Sequence, residues 1–134
     1  MRARVWVVAV LADIVIDCQH PASLARFWAD VLDGYQVAPN DDAEIARLAD
    51  LGITDLDDDP TVLVEAAAGP RLWFQKVPES TTVKNRMHID VRSSNRRAEV
   101  ERLLSLGATV LGERTELSLT VMRDPEGNEF CVIE

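Results

Sequence analysis

Positive charge is scarce in this sequence. Fourteen Lys and Arg stand against 23 Asp and Glu, a net charge of −9 with both histidines neutral. The basic footprint that tracks a phosphate backbone is missing, which argues against nucleic-acid binding and against docking on an anionic membrane. Cysteine is scarce too. Only Cys18 and Cys131 are present and no CxxC occurs, so a structural zinc site is not expected and a reducing, cytoplasmic setting is. Both sit in apolar, strand-like runs, where a buried thiol is the default. No apolar run is long enough to span a bilayer. Val5 to Ala12, preceded by Arg2 and Arg4, mimics a short signal peptide, but Asp13 and Asp17 interrupt its continuation and no small-residue cleavage site follows. It reads as an N-terminal strand or arm leading into the first core strand. A nucleophile elbow, a phosphate loop and a dinucleotide fingerprint are all absent. The acids between Asp41 and Asp59 lack the spacing of a calcium loop and read as a solvated face or loop.

What is present fits one domain over residues 1–134, 47% hydrophobic and large enough for a real core. The most informative stretch is Lys84 to Val91. Alternation there puts Met87, Ile89 and Val91 on one face of a strand and His88 and Asp90 on the other. Neither polar group is cheap to bury unpaired, so that second face is a solvated surface or the floor of a site.

Along the chain, Ala12 to Cys18 reads as a strand with Ile14, Ile16 and Cys18 on one side. Pro21 suits the first turn of a helix, carried by Leu24, Phe27, Trp28, Val31 and Leu32 at helical spacing and ended at Asp33-Gly34. Tyr35 to Ala38 is a short strand. Asp42 to Leu51 is a second short helix with Ile45, Leu48 and Leu51 on one side, followed by a loop over Asp55 to Pro60. Thr61 to Ala66 and Arg71 to Val77 are strands joined by a turn at Ala68-Gly69-Pro70. The pattern then restarts. Arg86 to Arg92 is a strand, and Ser94-Asn95 caps a helix running to about Leu106 through Ala98, Val100, Leu103 and Leu104. Ala108 to Gly112, Leu117 to Arg123 and Glu129 to Ile133 are strands, the last two joined by a tight Asp124-Pro125-Glu126-Gly127-Asn128 turn.

The two halves repeat. Ile14 to Cys18 aligns with Met87 to Val91 at an offset of 73, as do Gly34 with Gly107 and Val37 with Val110. The expected fold is α+β: two tandem βαβββ modules, about 12–77 and 86–134, forming a curved mixed sheet with helices outside and a concave cleft between them.

The stretches Ile16-Asp17-Cys18 with Pro21 and Leu24 to Trp28, Leu72 to Glu79, Val83 to Asp90, Leu106-Gly107-Ala108 and Asp124 to Cys131 resemble the vicinal oxygen chelate superfamily. That group holds glyoxalases, bleomycin-resistance proteins and extradiol dioxygenases. Within it the chain is similar to small glyoxalase-like proteins of actinobacterial type. The resemblance implies the fold above, a small-molecule ligand, a possible homodimer and a possible divalent metal. Metal sites in that group take one ligand from the first and one from the last strand of each module, and the metal acts as a Lewis acid on two neighbouring substrate oxygens. Carried over by position, His88 and Gln75 are the metal candidates. Val15, or Asp13 if the helix is shifted, and Cys131 occupy the other two positions.

Several uses of these residues stay open. His88 can be a structural partner of Asp17 or Asp90, a ligand-binding group, a metal ligand, or with Asp90 a catalytic acid-base pair. Trp73, Gln75, Asp17 and Cys131 are the substrate-binding candidates, with Trp73 as a stacking platform or a core filler. Lys84, Asn85 and Arg86 bind an anion at the cleft mouth or tie down the connection between modules. The expected activity is small-molecule binding with a metal-dependent or acid-base isomerase or lyase reaction; the alternative is a sequestering protein of the bleomycin-resistance type.

Overall fold

A computed structural model describes residues 8–134; the first part of the expected N-terminal arm, residues 1–7, lies outside them. The repeat is realised as two βαβββ modules. In the first, β1 (Asp13–Cys18), α1 (Pro21–Val31), β2 (Gln36–Val37), β3 (Thr61–Glu65) and β4 (Arg71–Lys76) form a sheet of order β1-β4-β3-β2. In the second, β5 (Ile89–Arg92), α3 (Arg96–Ser105), β6 (Thr109–Arg114), β7 (Leu119–Arg123) and β8 (Glu129–Ile133) form a sheet of order β5-β8-β7-β6. Each sheet is mixed, because its first strand runs parallel to its last while the remaining pairs are antiparallel. The helix α2 (Asp42–Asp50) and a 3-10 turn at Leu56–Asp58 fill the connection from β2 to β3.

Alternation decides which faces are buried. Val62, Val64, Leu72 and Phe74 on β3 and β4 point into the core, as do Thr120, Met122, Phe130 and Val132 on β7 and β8. The helix α1 is the shared element. Its Phe27 and Trp28 rings pack edge-on to each other at 5.5 Å, and Trp28 meets Phe130 of β8 at 5.0 Å. One core therefore crosses both modules. Full burial of such a side chain is worth about 1.5–3 kcal/mol, so neither module would keep its core alone.

The ends of α1 are held by the other module. The Glu126 carboxylate accepts the amide N–H groups of Gln19 and His20 ahead of the helix. Arg102 of α3 donates to the carbonyls of Asp30 and Val31 at its end, at 2.8 and 3.2 Å. An anion at the start and a cation at the end suit the helix dipole and satisfy backbone groups that the helix leaves open. Pro21 opens the helix as its sequence implies.

Four local expectations are corrected. The strand expected over Arg86 to Arg92 begins only at Ile89, and Met87, placed on its buried face, is 83% exposed. The lead-in is held instead by side chains of the β8 turn, and a residue ahead of the paired strand need not follow its alternation. In α2 only Leu48 is buried, while Ile45 and Leu51 are exposed. In α3 only Leu103 is buried, and Ala98 and Leu104 face solvent. In α3, which lies against β6, β7 and β8, the half-buried Val100 packs beside Leu103. Finally, β6 extends to Arg114 through an irregular pairing between Val110 and Gly112, which continues the strand past its expected end.

Among the described residues no helix is long and apolar enough to cross a membrane.

Candidate functional site

The outward faces of the two sheets carry the polar candidates. On β1 and β4 the register pairs Val15 with Trp73 and Asp17 with Gln75. On β5 and β8 it pairs Asp90 with Cys131. His88 precedes β5, on the same side as Asp90, and its Nε2 lies 3.2 Å from Asp90 Oδ1. The partner of His88 is therefore Asp90 rather than Asp17. Ligand atoms of His88, Asp90 and Cys131 all lie within 4.8 Å of one another.

A cleft of about 540 Å³ runs between β1 and the Asn85–Ile89 segment. Ile14, Ile16, Trp28, Ile89 and Phe130 give it an apolar lining, and Asp17, Asn85, Arg86, His88, Asn128 and Glu129 supply polar groups. Both edges have local causes. Since β1 is the outer strand of its sheet, Val15 can stay half exposed at the rim. The opposite wall is tied to the turn before β8: Lys84 Nζ donates to Glu129 Oε2 at 2.9 Å, and Asn85 Nδ2 to Asn128 Oδ1 at 3.5 Å. Two of the three residues with open roles thus fasten the crossover, while Arg86 lines the cleft.

The turn is itself fixed by Asp124, a residue read only as part of a tight turn. Its buried carboxylate accepts Trp28 Nε1 at 3.1 Å, the backbone N–H groups of Glu126 and Asn128 at 2.9 Å each, and Asn128 Nδ2 at 2.9 Å. Burial nevertheless pushes the Asp124 carboxyl above its ordinary value, against the lowering effect of Asn128 and the other donors. A Trp at helical spacing in α1 and an Asp opening a five-residue turn were the only sequence signals of this contact, and nothing in spacing links them.

The two thiols differ. Cys18 is buried, and burial, with the charges of Glu126, Asp124 and Asp17, pushes its thiol up to about 12. It is inert, as its place on the helix-facing side implies. Cys131 is half buried rather than a core thiol, because it alternates with the buried Phe130 and Val132. Burial, then the charge and hydrogen bonding of Asp90, raises its thiol.

Trp73 and Gln75 lie elsewhere. Neither lines the cleft beside His88. Trp73 borders a separate depression with Val37, Thr61 and Leu63, and the Arg71 guanidinium sits 5.8 Å from its ring centroid.

Two first-module positions compare with His88. Counted from the helix starts, Pro21 and Arg96, the position is Asp13; counted from the positive-φ glycines after the helices, Gly34 and Gly107, it is Val15. Arg71 Nε and Nη2 donate to both oxygens of Asp13, at 2.7 and 3.1 Å. That contact holds the Asp13 carboxyl below its usual range. A metal set spanning both modules does not fit these residues. Asp13 is committed to a guanidinium, Val15 has no donor atom, and Gln75 is not gathered with His88.

What the cleft side can do chemically is narrower: an imidazole braced by a carboxylate, able to exchange a hydrogen bond or a proton with a molecule seated on an apolar floor.

Residues 13–133 match the family described as glyoxalase-like domain. Among solved structures, the fold is similar to the fosfomycin resistance protein FosX from Mesorhizobium loti, at a TM-score of 0.66 and 12% identity, over 95% of this chain and 92% of that one. A possible glyoxalase from Bacillus cereus superposes at 0.64 and 11% identity, over 95% and 100%. The trypanothione-dependent glyoxalase I of Leishmania major does so at 0.60 and 15%, over 95% and 87%. At these identities the likeness is one of fold. No curated protein matches the sequence.

Proposed function

The chain belongs to the glyoxalase-like domain family, and on that premise we propose that it binds a small organic molecule in the cleft between β1 and Asn85–Ile89. The observation that carries the proposal is the cleft itself. Its volume of about 540 Å³ lies in the range of ligand sites, roughly 300–1,000 Å³, which combine apolar walls with a few placed polar groups. The floor of Ile14, Ile16, Trp28 and Phe130 suits an apolar body. Asn85, Arg86 and His88 on one wall suit an anionic or hydroxyl-bearing end. The preferred ligand is a small organic acid or hydroxy acid with an aromatic or branched body.

A second reading is favoured by the 3.2 Å contact between His88 and Asp90. A carboxylate that fixes the imidazole prepares it to take a proton from the bound molecule, which would make the protein an acid-base enzyme rather than a binder.

A thermal-shift panel of small aromatic acids and hydroxy acids tests the cleft. A compound at one hundred times its Kd stabilises the fold by about 2.7 kcal/mol. At least one member is expected to raise the melting temperature of the native chain by several degrees. Val15→Trp, at a rim position already half exposed, is expected to remove that shift while melting within a few degrees of the parent. A panel without stabilisers, or stabilisers that act equally on Val15→Trp, would overturn the proposal.

A further inference from the structure

We infer that the depression beside β3 is a second binding site, for a small organic ammonium ion, with Asp59 and Trp73 as its recognising groups. It does not depend on the cleft between β1 and Asn85–Ile89. The hollow has a local cause. β2 is Gln36–Val37 and pairs with β3 only at Glu65 and Val64. The Ala38 N–H still donates to the Leu63 carbonyl at 2.9 Å. The chain then leaves for α2, and Thr61 and Val62 have no strand partner on that side among the described residues. The space left is about 440 Å³, within the roughly 300–1,000 Å³ of ligand sites. Val37, Leu56, Leu63 and Trp73 give it apolar walls.

The charges choose the ligand. Glu44, Asp57 and Asp59 line the hollow. Glu44 is taken by Arg47 at 2.7 Å and Asp57 by Arg26 at 2.9 Å. No ion pair reaches Asp59 among the described residues, although it is only 4% exposed. Its Oδ1 accepts the Thr61 N–H at 3.0 Å. Its Oδ2 has no protein donor, yet it is not sealed: among the described residues the fully enclosed side-chain atom without a partner is Arg96 Nε. Because Asp59 borders the hollow, its remaining exposure opens there. A carboxylate so withdrawn from water is costly without a counterion. An ammonium group seated beside it supplies both the hydrogen bond and the charge.

Trp73 adds a second preference for a cation. The face of an indole attracts positive charge, and the Arg71 guanidinium already stands 5.8 Å from this ring centroid. An indole has two faces, and one guanidinium takes one of them. The net charge of −9 draws cations and repels anions. The hollow therefore rejects the acids proposed for the cleft, and the two sites sort ligands by charge.

The test titrates the full chain with benzylammonium and with uncharged benzyl alcohol, followed by amide and indole chemical shifts. The expected result is saturable binding of one equivalent of benzylammonium, with perturbations at Asp59, Thr61, Leu63 and the Trp73 indole and none at Val15 to Asp17. Benzyl alcohol should bind at least about tenfold more weakly, the factor set by a hydrogen bond to a charged group. Asp59→Asn keeps an oxygen for the Thr61 N–H and should weaken benzylammonium by the same factor. Trp73→Leu should weaken it severalfold. The inference fails if benzylammonium does not saturate, if benzyl alcohol binds equally well, if Asp59→Asn leaves the affinity unchanged, or if the perturbations centre on the cleft. Should Asp59→Asn not fold, unchanged affinity in Trp73→Leu is the overturning result.

Discussion

Asp124→Ala should destabilise the protein more than its position in a surface turn implies. The native carboxylate is 3% exposed and accepts four donors. Two of them, Trp28 Nε1 and Asn128 Nδ2, are side-chain groups with no other acceptor among the hydrogen bonds above. Leaving a buried donor unmet costs about 1–3 kcal/mol. Removing the carboxylate also relieves the cost of burying its charge, which the raised pKa registers. The balance is a loss of about 2–4 kcal/mol, or roughly 10 °C in melting temperature for a chain of this size. Asp124→Asn should cost about half as much, because one oxygen remains and the new amide opposes donors. The pH dependence has a definite sign. A carboxyl whose folded pKa is raised contributes stability that is fully present below its unfolded pKa and is lost as pH rises through the folded one. The deficit of Asp124→Asn relative to the parent should therefore widen as pH falls from neutrality through that window. Urea unfolding followed by tryptophan emission at neutral and acid pH measures both quantities. A cost below about 1 kcal/mol for Asp124→Ala, or a deficit that shrinks in acid, would refute the reasoning.

Glu126→Ala should cost about 1–2 kcal/mol, the range of a lost helix cap, because the carboxylate accepts the amides of Gln19 and His20; thermal unfolding reads it. Alkylation at mildly alkaline pH should label Cys131 in the native state well before Cys18, whose thiol is buried and pushed up to about 12. Peptide mass spectrometry over time shows the order, and equal rates would contradict it.

The fold was legible because each module repeats local signals that agree. Ile14, Ile16 and Cys18 alternate, Pro21 opens α1, and Gly34 and Gly107 both take positive φ, 75° and 112°, after their helices. Alternation put His88 and Asp90 on one side, while the choice of Asp90 over Asp17 as the partner of His88 came from the structure. The contacts between residues distant in sequence were not legible. Trp28 with Asp124, Glu126 with the start of α1, and Arg71 with Asp13 join residues 58 to 107 positions apart, and no periodicity carries that information. Trp73 and Gln75 illustrate the limit. Alternation assigned their face of β4 but could not say which sheet edge meets the second module. That edge is β1, so the cleft forms beside Val15 and Asp17 instead.

The most direct measurement is amide chemical-shift mapping with the panel compound that most stabilises the native chain. Perturbations should concentrate at Val15 to Asp17, Asn85 to Ile89 and Asn128 to Phe130, which face one another across the cleft. Perturbations centred on Trp73, Thr61 and Leu63, with the cleft residues unchanged, would contradict the account.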